Sequence, residues 1–202
     1  MAEVIIIGAG GHARVVADIV LRQGHRVLGF LDDSPTATGA YGIPVLGTVD
    51  RYKEDPDARF LIGIGSAAAR RKLSARLEGV RWHTAIHPTA VISPLGTTIG
   101  PGTVVMAGAI VSPGTRIGAH CILNSGSIVE HDNDIGDHVH ISVGAKLAGT
   151  VTVGEDTWVG IGAVISNGLS VCSGCMLGAG TVVVKDLTEP GTYVGVPARR
   201  LP

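Results

Sequence analysis

The sequence predicts an α/β unit followed by an all-β coil, because the hydrophobic period of the chain changes near residue 87. Over residues 1–86, short aliphatic runs that end in glycine or aspartate alternate with stretches of helical periodicity. Over residues 87–202 the helical period is absent, and aliphatic residues return at every sixth position. We therefore predict two domains with different architectures, 1–86 and 87–202.

The first predicted domain alternates strands and helices. A buried strand precedes the glycine-rich turn at residues 8–11, and an amphipathic helix follows this turn. The second strand ends at Asp32-Asp33, and the third is closed by Gly65-Ser66 before another helix. Such alternation predicts a parallel sheet with right-handed crossovers. The expected elements are strand 4–7, helix 12–23, strand 27–31, strand 60–64 and helix 67–77.

The second predicted domain contains an unbroken six-residue repeat. The residue two positions before each repeated aliphatic is mostly small, with Asn133 and Leu169 among the exceptions. A period of six does not fit a helix, and Pro94, Pro101 and Pro113 would interrupt one. The region is therefore a structural repeat. Its fifteen aliphatic positions are Ile99, Val105, Val111, Ile117, Leu123, Val129, Ile135, Ile141, Leu147, Val153, Val159, Ile165, Val171, Leu177 and Val183.

Each six-residue unit fits one short strand and one tight turn, so that three units close a triangular coil with the aliphatic side chains inside. Fifteen units make about five coils, and the coils should stack about 4.8 Å apart, as neighbouring strands do. Glycines also recur every 18 residues, and we expect them at corners that need a positive φ. These glycines are Gly100, Gly118, Gly136 and Gly154.

The composition of the 202-residue chain argues against several classes of protein. A net charge of -1 with interspersed acids and bases gives nucleic-acid binding no electrostatic basis. No apolar run approaches the roughly 18 residues of a membrane span, and the first residues do not resemble a secretory signal. Three cysteines, an odd number, argue against a disulfide framework. We therefore expect a cytoplasmic protein.

A glycine-rich motif, GAGGHA at residues 8–13, matches the dinucleotide-binding pattern G-x-G-x-x-A, and Asp32 follows about 20 residues later. Three interpretations stay open: an NAD site, a site for another nucleotide-linked ligand, and glycines that only pack a helix on a strand. Because only about 86 residues precede the coil, a full six-strand dinucleotide domain does not fit. We favour a nucleotide-linked ligand, with Asp32 and Asp33 as hydrogen-bond acceptors and the helix N-terminus facing an anion.

Several motifs together resemble the bacterial sugar acetyltransferases that include sialic acid O-acetyltransferases and UDP-4-amino-sugar N-acetyltransferases of the bacillosamine type. The resemblance spans the whole chain. It implies a Rossmann-like N-terminal unit followed by a hexapeptide-repeat, left-handed parallel β-helix. The motifs that carry it are IIGAGGHA at 6–13, LDD at 31–33, IGIG at 62–65, HPTAVISP at 87–94, NSGSIVEHD at 124–132 and VGVPARRL at 194–201.

This resemblance implies acetyl-CoA as cosubstrate, no metal, a nucleotide-linked amino sugar as acceptor, and a homotrimer with active sites between subunits. His131 matches the general base, and Asp132 matches its acidic neighbour, which is often Glu in the family. The residues that match acetyl-CoA-binding positions are His140, Gly149, Ile161, Gly178, Ala179 and Gly180. Those that match substrate-binding positions are Gly10, Gly11, His12, Asp32, Asp33, Gly65 and Asn124.

The repeat itself predicts the direction of the two histidines. His131 lies two residues after Val129, and His140 lies one before Ile141, so both should point outward. They are nine residues apart, half a coil, and so lie on different sides of one prism. We hypothesise that packing around a threefold axis brings His131 of one subunit to His140 of the partner subunit.

Alternatives remain open at this stage. Amine and hydroxyl acceptors need the same base, so O-acetylation of a sugar such as sialic acid is the close alternative, and a non-catalytic trimeric scaffold is a third hypothesis. The spacing of Cys172 and Cys175 suits a redox pair or zinc, but we expect packing. We expect solvated side chains at His25, His83 and His138 and a corner position for His120, and the sequence does not decide whether Trp158 and Tyr193 are exposed contacts.

Overall fold

The computed structural model describes all 202 residues and contains a five-stranded parallel sheet with two α-helices, followed by a parallel β-helix. In the sheet the strand order is β3-β2-β1-β4-β5, and every pairing is parallel, as predicted. The strands are β1 Glu3–Ile7, β2 Arg26–Leu31, β3 Val45–Gly47, β4 Arg59–Ile62 and β5 Arg81–Trp82. The helices are α1 Gly11–Arg22, the 3-10 helix Val49–Glu54 and α2 Ala67–Arg76.

Local sequence explains most of these elements. Helix α1 buries one apolar face against the sheet, which includes Val16, Ile19 and Val20. Helix α2 begins after Ser66, whose hydroxyl accepts a hydrogen bond from Ala69 N at 3.4 Å. The short strands β3 and β5 have no predicted counterpart, because three and two residues are too few to produce a periodic signal. Neither helix is long and apolar enough to cross a membrane.

The β-helix has three faces of parallel strands, except for an antiparallel β24. Face 1 contains β6 Ala85–Ile86, β9 Val104–Val105, β12 Ile122–Leu123, β15 His140–Ile141, β18 Trp158–Val159, β21 Cys175–Leu177, β23 Gly191–Val194 and β24 Arg199–Arg200. Face 2 contains β7 Val91–Ile92, β10 Ile110–Val111, β13 Ile128–Val129, β16 Lys146–Leu147, β19 Val164–Ile165 and β22 Val182–Val183. Face 3 contains β8 Thr98–Ile99, β11 Arg116–Ile117, β14 Asp134–Ile135, β17 Thr152–Val153 and β20 Ser170–Val171.

The fold class is confirmed, but about five coils is too low a count. Parallel stacking begins at β6, before Ile99 and just before the predicted domain boundary at residue 87, and it continues past Val183 to β23. These outer strands lie beyond the perfect six-residue series, so the period alone does not include them. The series itself is confirmed as core: fourteen of its members, from Val105 to Val183, are at most 2% exposed, and Ile99 packs against them.

The corners have a regular backbone that differs from the prediction. Positive φ recurs at every sixth residue from Gly96 to Gly180. Five of these fifteen positions carry other residues, namely His120, Asp132, His138, Thr150 and Asp156.

The glycines that recur every 18 residues are not among the positive-φ positions, so their predicted role is wrong. They allow close approach between coils instead. A Cβ on Gly154, for example, would lie 2.4 Å from Ser173 N, and a Cβ on Gly118 would lie 2.8 Å from Asp137 N.

The N-terminal unit docks on face 1 of the β-helix. The outward residues Ala85, Val104 and Ile122 are at most 1% exposed and share a core cluster with the buried face of α1. Farther along the same face, His140 and Trp158 follow at the edge of the docked unit. The fold thus places the N-terminus of α1 beside His140.

Arg70, at 1% exposure, fastens α2 to the β-helix through main-chain carbonyls. Its guanidinium donates to Ile64 and Gly65 of its own unit, and to His120 and His138 of the β-helix. Burial lowers the pKa of Arg70 to about 10, so the group stays charged at neutral pH.

Docking also changes the expected exposure of several histidines. His83 is 4% exposed, with its Nε2 3.1 Å from Gln23 Oε1, so its prediction as solvated is wrong. His25 and His138 are half-buried rather than solvated. His120 does occupy a corner, as predicted, but it is only 6% exposed because α2 and Trp82 cover it.

Candidate active site

His131 and Asp132 form a side-chain pair on the corner between faces 2 and 3, which we call corner B (residues 130–133 and 148–151). His131 Nδ1 lies 2.9 Å from Asp132 Oδ2, and the two side chains are 58% and 65% exposed. The shorter aspartate therefore reaches the imidazole. Because a carboxylate accepts at Nδ1, the neutral ring carries its proton there and leaves Nε2 free to accept a proton.

The backbone and two glycines determine this geometry. Asp132 has a φ of 57°, a left-handed conformation that aspartate tolerates better than most residues. On the preceding coil, a Cβ at Gly114 would lie 2.4 Å from Asp132 Oδ1. On the following coil, a Cβ at Gly149 would lie 2.5 Å from His131 Cε1 and Nε2. The pair is thus held between two glycines, and Gly149, predicted to contact acetyl-CoA, lies directly against the imidazole.

A second polar cluster lies where the N-terminal unit meets face 1. The His140 ring is 4.6 Å from the Trp158 ring and 6.5 Å from the His12 ring, measured between centroids. Asn124 Nδ2 lies 3.2 Å from His140 Nε2, and Asn124 Oδ1 accepts from Ser125 N at 2.8 Å, which fixes the orientation of the amide. Since the amide nitrogen can only donate, His140 Nε2 accepts and Nδ1 carries the proton.

Both histidines of this junction are neutral at physiological pH. Burial, together with Arg70 and His12, lowers the pKa of His140 to about 3. Burial and Arg70 lower the pKa of His12 to about 4. His12 Nε2 and His140 Nδ1 are buried without a hydrogen-bond partner. The same is true of one ring nitrogen in each of His83, His120 and His138, so an unpaired nitrogen is a common feature of the buried histidines of this protein.

The junction coincides with the topological switch point of the sheet. Strands β1 and β4 are neighbours, and the chain leaves them in opposite directions, toward β2 and toward β5. Ligands of open α/β sheets bind in the crevice beyond the strand ends at such a point. The turn and the helix N-terminus that follow β1 carry Gly10, Gly11 and His12, and the loop that follows β4 carries Gly65. The structure therefore brings these predicted substrate residues together, close to His140 and Asn124.

Asp32 and Asp33 line a small pocket at the ends of β1 and β2, and their carboxylates also hold the surrounding backbone. Asp32 accepts from Ala9 N and from Ser34 N, both at 2.8 Å. Asp33 accepts from Val49 N at 2.8 Å and from Arg76 Nη1 at 3.4 Å. The Ala9 amide inside the glycine-rich turn is therefore already occupied by a carboxylate.

The remaining predicted acetyl-CoA residues lie on the corner between faces 1 and 2, which we call corner A (residues 124–127, 142–145, 160–163 and 178–181). Ile161 is 61% exposed there, and Gly178, Ala179 and Gly180 stand one coil farther along. Within one chain, therefore, corner A adjoins the His140 junction through Asn124 and Ser142, whereas the His131–Asp132 pair lies on a different corner.

The sequence interpretation missed or misplaced several residues around these groups. Trp158 is half-buried, and its Nε1 donates to Ser142 Oγ at 2.7 Å. Its position 18 residues after His140 is the signal that predicts this stacking. Tyr193, whose exposure the sequence does not decide, is 7% exposed and donates to Glu189 O. Nothing in the local sequence identifies Arg70.

Cys175 faces inward at 2% exposure, as expected for packing, and its Sγ lies 3.6 Å from Cys172 Sγ. All three cysteines are free. The structure contains no group of three or more His, Cys, Asp or Glu side chains that could hold a metal ion.

Comparison with known proteins matches both parts of the chain. Residues 3–77 match the PglD N-terminal domain, and residues 96–131 match the bacterial transferase hexapeptide (six repeats). UDP-N-acetylbacillosamine N-acetyltransferase of Bacillus subtilis (strain 168) is 39% identical over 114 residues, 53% of this chain and 52% of that protein. The chain thus matches only about half the length of this curated relative.

Solved structures match over the full length. The acetyltransferase domain of PglB from Neisseria gonorrhoeae FA1090 has a TM-score of 0.93 and 34% identity, and the match covers 100% of both chains. The chain belongs to the hexapeptide-repeat sugar acetyltransferases. Another of these acetyltransferases, PerB from Caulobacter crescentus in complex with CoA and GDP-perosamine, has a TM-score of 0.93 and 36% identity over 100% of this chain and 98% of that one. The family resemblance predicted from the motifs is confirmed.

Proposed function

We propose that this protein transfers the acetyl group of acetyl-CoA to the amino group of a nucleotide-linked amino sugar, of the UDP-4-amino-sugar type. The observation that carries the proposal is the exposed His131 imidazole, with Asp132 on Nδ1 and Nε2 open beside Gly149. A matched relative is a UDP-N-acetylbacillosamine N-acetyltransferase, and a matched structure contains CoA and GDP-perosamine. Both support an amino-sugar acceptor.

In the proposed reaction His131 is the general base. Its Nε2 takes a proton from the amine as the amine nitrogen attacks the thioester carbonyl, and the tetrahedral intermediate then expels CoA as a thiolate. Asp132 holds the tautomer with the proton on Nδ1 and stabilises the imidazolium that forms. A positioned base of this kind contributes about 10²–10⁴ in rate. Metal chemistry is not required.

We assign the acceptor to the switch-point crevice. The helix N-terminus at Gly10 and Gly11 favours the negative charge of a diphosphate, and the unpaired nitrogens of His12 and His140 suit hydroxyl groups of a sugar. The acetyl-CoA would then extend from the sugar along a corner of the β-helix. Ile161, Gly178, Ala179 and Gly180 on corner A are the candidate contacts.

We propose a homotrimer, because the His131 group and the His140 group lie apart within one chain. In a closed trimer, His131 of one subunit would meet His140 of the partner subunit. Mixing inactive His131→Ala and His140→Ala chains then restores about a quarter of the wild-type activity, since one shared site in four receives both intact histidines. Absence of any recovery after co-refolding, with trimers present by mass photometry, would contradict a shared site.

The function is tested by thiol release from acetyl-CoA with a panel of UDP- and GDP-linked amino sugars and their hydroxyl counterparts. The proposal expects turnover with the amino sugars and its loss in His131→Ala. Turnover only with hydroxyl sugars, including sialic acid, would establish the O-acetyltransferase alternative. No turnover with any acceptor, in a trimer that binds none of them, would support a scaffold.

A further inference from the structure

Three threonines at the small inward position form the same pair of hydrogen bonds between successive coils. At Thr103, Thr115 and Thr157, the hydroxyl donates to the carbonyl 15 residues later and accepts from the amide 18 residues later. For Thr103 both distances are 2.9 Å. We call such a set an inter-coil pair. It ties one corner to the corner stacked above it.

Asn133 is the only carboxamide at this inward position, and it forms the same pair with one addition. Its Nδ2 donates to Ala148 O at 3.1 Å and its Oδ1 accepts from Val151 N at 2.8 Å, the same separations of 15 and 18 residues. The second hydrogen of Nδ2 goes to Glu130 O within its own corner. The side chain is 1% exposed, so water cannot replace these bonds.

The hydrogen bonds of Asn133 hold the backbone beside both His131 and Gly149, the two residues in contact. Glu130 O immediately precedes His131, and Ala148 O immediately precedes Gly149. Thr115 also donates to Glu130 O, from the preceding coil, at 2.8 Å. The carbonyl before the imidazole is therefore held from two sides.

We propose that Asn133 is a positioning residue for the acetyl transfer. It fixes corner B so that the His131 ring stays against Gly149 with Nε2 presented to the acceptor amine. This inference rests on the proposed role of His131 as general base. A misplacement of about 1 Å in a reacting group costs about 10²-fold in rate, so a bond set that locates the corner within that tolerance affects kcat.

The decisive variant is Asn133→Thr, because three of the five threonines at this inward position, Thr103, Thr115 and Thr157, form the inter-coil pair that Asn133 also forms. It loses only the bond to Glu130 O. We expect kcat to fall about 3-fold to 10-fold, and about 10-fold to 100-fold in Asn133→Ala, with the KM of both substrates nearly unchanged. The matched control is Thr157→Ala, which removes an inter-coil pair from a corner without His131. Thr157 O accepts from His140 N at 3.0 Å, but this main-chain bond does not involve the replaced side chain, so Tm should fall while kcat stays within about 2-fold.

A kcat of Asn133→Thr equal to wild type would overturn the proposal, as would a fall in kcat of Thr157→Ala as large as that of Asn133→Ala. His131→Ala, measured in parallel, distinguishes failure of the proposed base His131 from failure of the positioning role of Asn133. Unchanged thiol release in His131→Ala removes the proposed base itself. Loss of activity in His131→Ala, together with full activity in Asn133→Thr, removes only the role of Asn133.

Discussion

Two corners of the β-helix carry histidines in opposite surroundings. On corner B, His131 is 58% exposed and pairs with the carboxylate of Asp132. On the corner between faces 3 and 1, His120 is 6% exposed, stacks on His138 with ring centroids 5.5 Å apart, and meets the edge of Trp82. The difference comes from the N-terminal unit, which covers one corner and leaves the other open. The repeat places each histidine on a corner, and the groups around that corner determine whether its side chain is exposed or buried.

The largest expected effect separates chemistry from stability. His131→Ala removes the proposed base, so kcat should fall about 10²–10⁴-fold while Tm is nearly unchanged, because the side chain is exposed. His120→Asn, which suits the left-handed backbone, removes buried ring contacts and should cost about 1–2 kcal/mol of stability. Thiol-release assays with acetyl-CoA and thermal melts of both variants measure the two effects. A His131→Ala protein that loses stability instead of activity would reverse the contrast.

A smaller effect is expected from adding one methyl group at either of two glycines. Gly149→Ala forces the His131 ring to move, and because a side chain yields easily, we expect kcat to fall about 10–10²-fold with a small loss of stability. Gly154→Ala meets Ser173 N, a backbone atom that cannot yield, so it should lower Tm by several degrees. Equal activity losses in the two variants would show that the His131 contact is not special.

The smallest expected effect is on acid stability, and it comes from His120 on the corner that the N-terminal unit covers. Burial, His138 and Arg70 lower the pKa of His120 in the folded protein to about 4, against 6.5 for an unperturbed histidine. Between pH 4 and 6.5 the unfolded chain therefore binds more protons than the folded protein does. The contribution of His120 to the free energy of unfolding is fully present above pH 6.5 and is lost as the pH falls toward 4. Each such histidine contributes about 1 kcal/mol per pH unit in this window. Urea unfolding at several pH values measures the slope.

The control for this slope is again a pair of variants. His120→Asn should reduce the pH dependence by one proton, whereas Thr157→Ala should lower stability at every pH and keep the slope. An unchanged slope in His120→Asn would mean that this histidine is not kept neutral by folding.

Much of corner B follows from the sequence, because it depends on a strict period. Val129 and Ile135 are core residues, as the repeat predicts. Asp132 falls in the six-residue series of positive-φ corners, although a glycine period of 18 suggested a different set of positions. A period shows where glycine recurs, but it does not separate a need for positive φ from a need for close approach.

The junction with the N-terminal unit could not be predicted in the same way. The burial of His140 and His83 depends on docking between segments far apart in the chain. Arg70, for instance, reaches carbonyls 50 and 68 residues away. No periodic signal in either segment encodes such a contact. The burial of side chains at the interface between the two units is therefore the property that the sequence predicts least well.

The way in which Arg70 joins the two units has a consequence for divergence. Every group to which it donates is a main-chain carbonyl, two on each side of the joint. Since every residue type supplies that oxygen, replacing His120 or His138 changes the packing but does not remove an acceptor. Side chains on both sides of the crevice can therefore be replaced while Arg70 continues to join the two units.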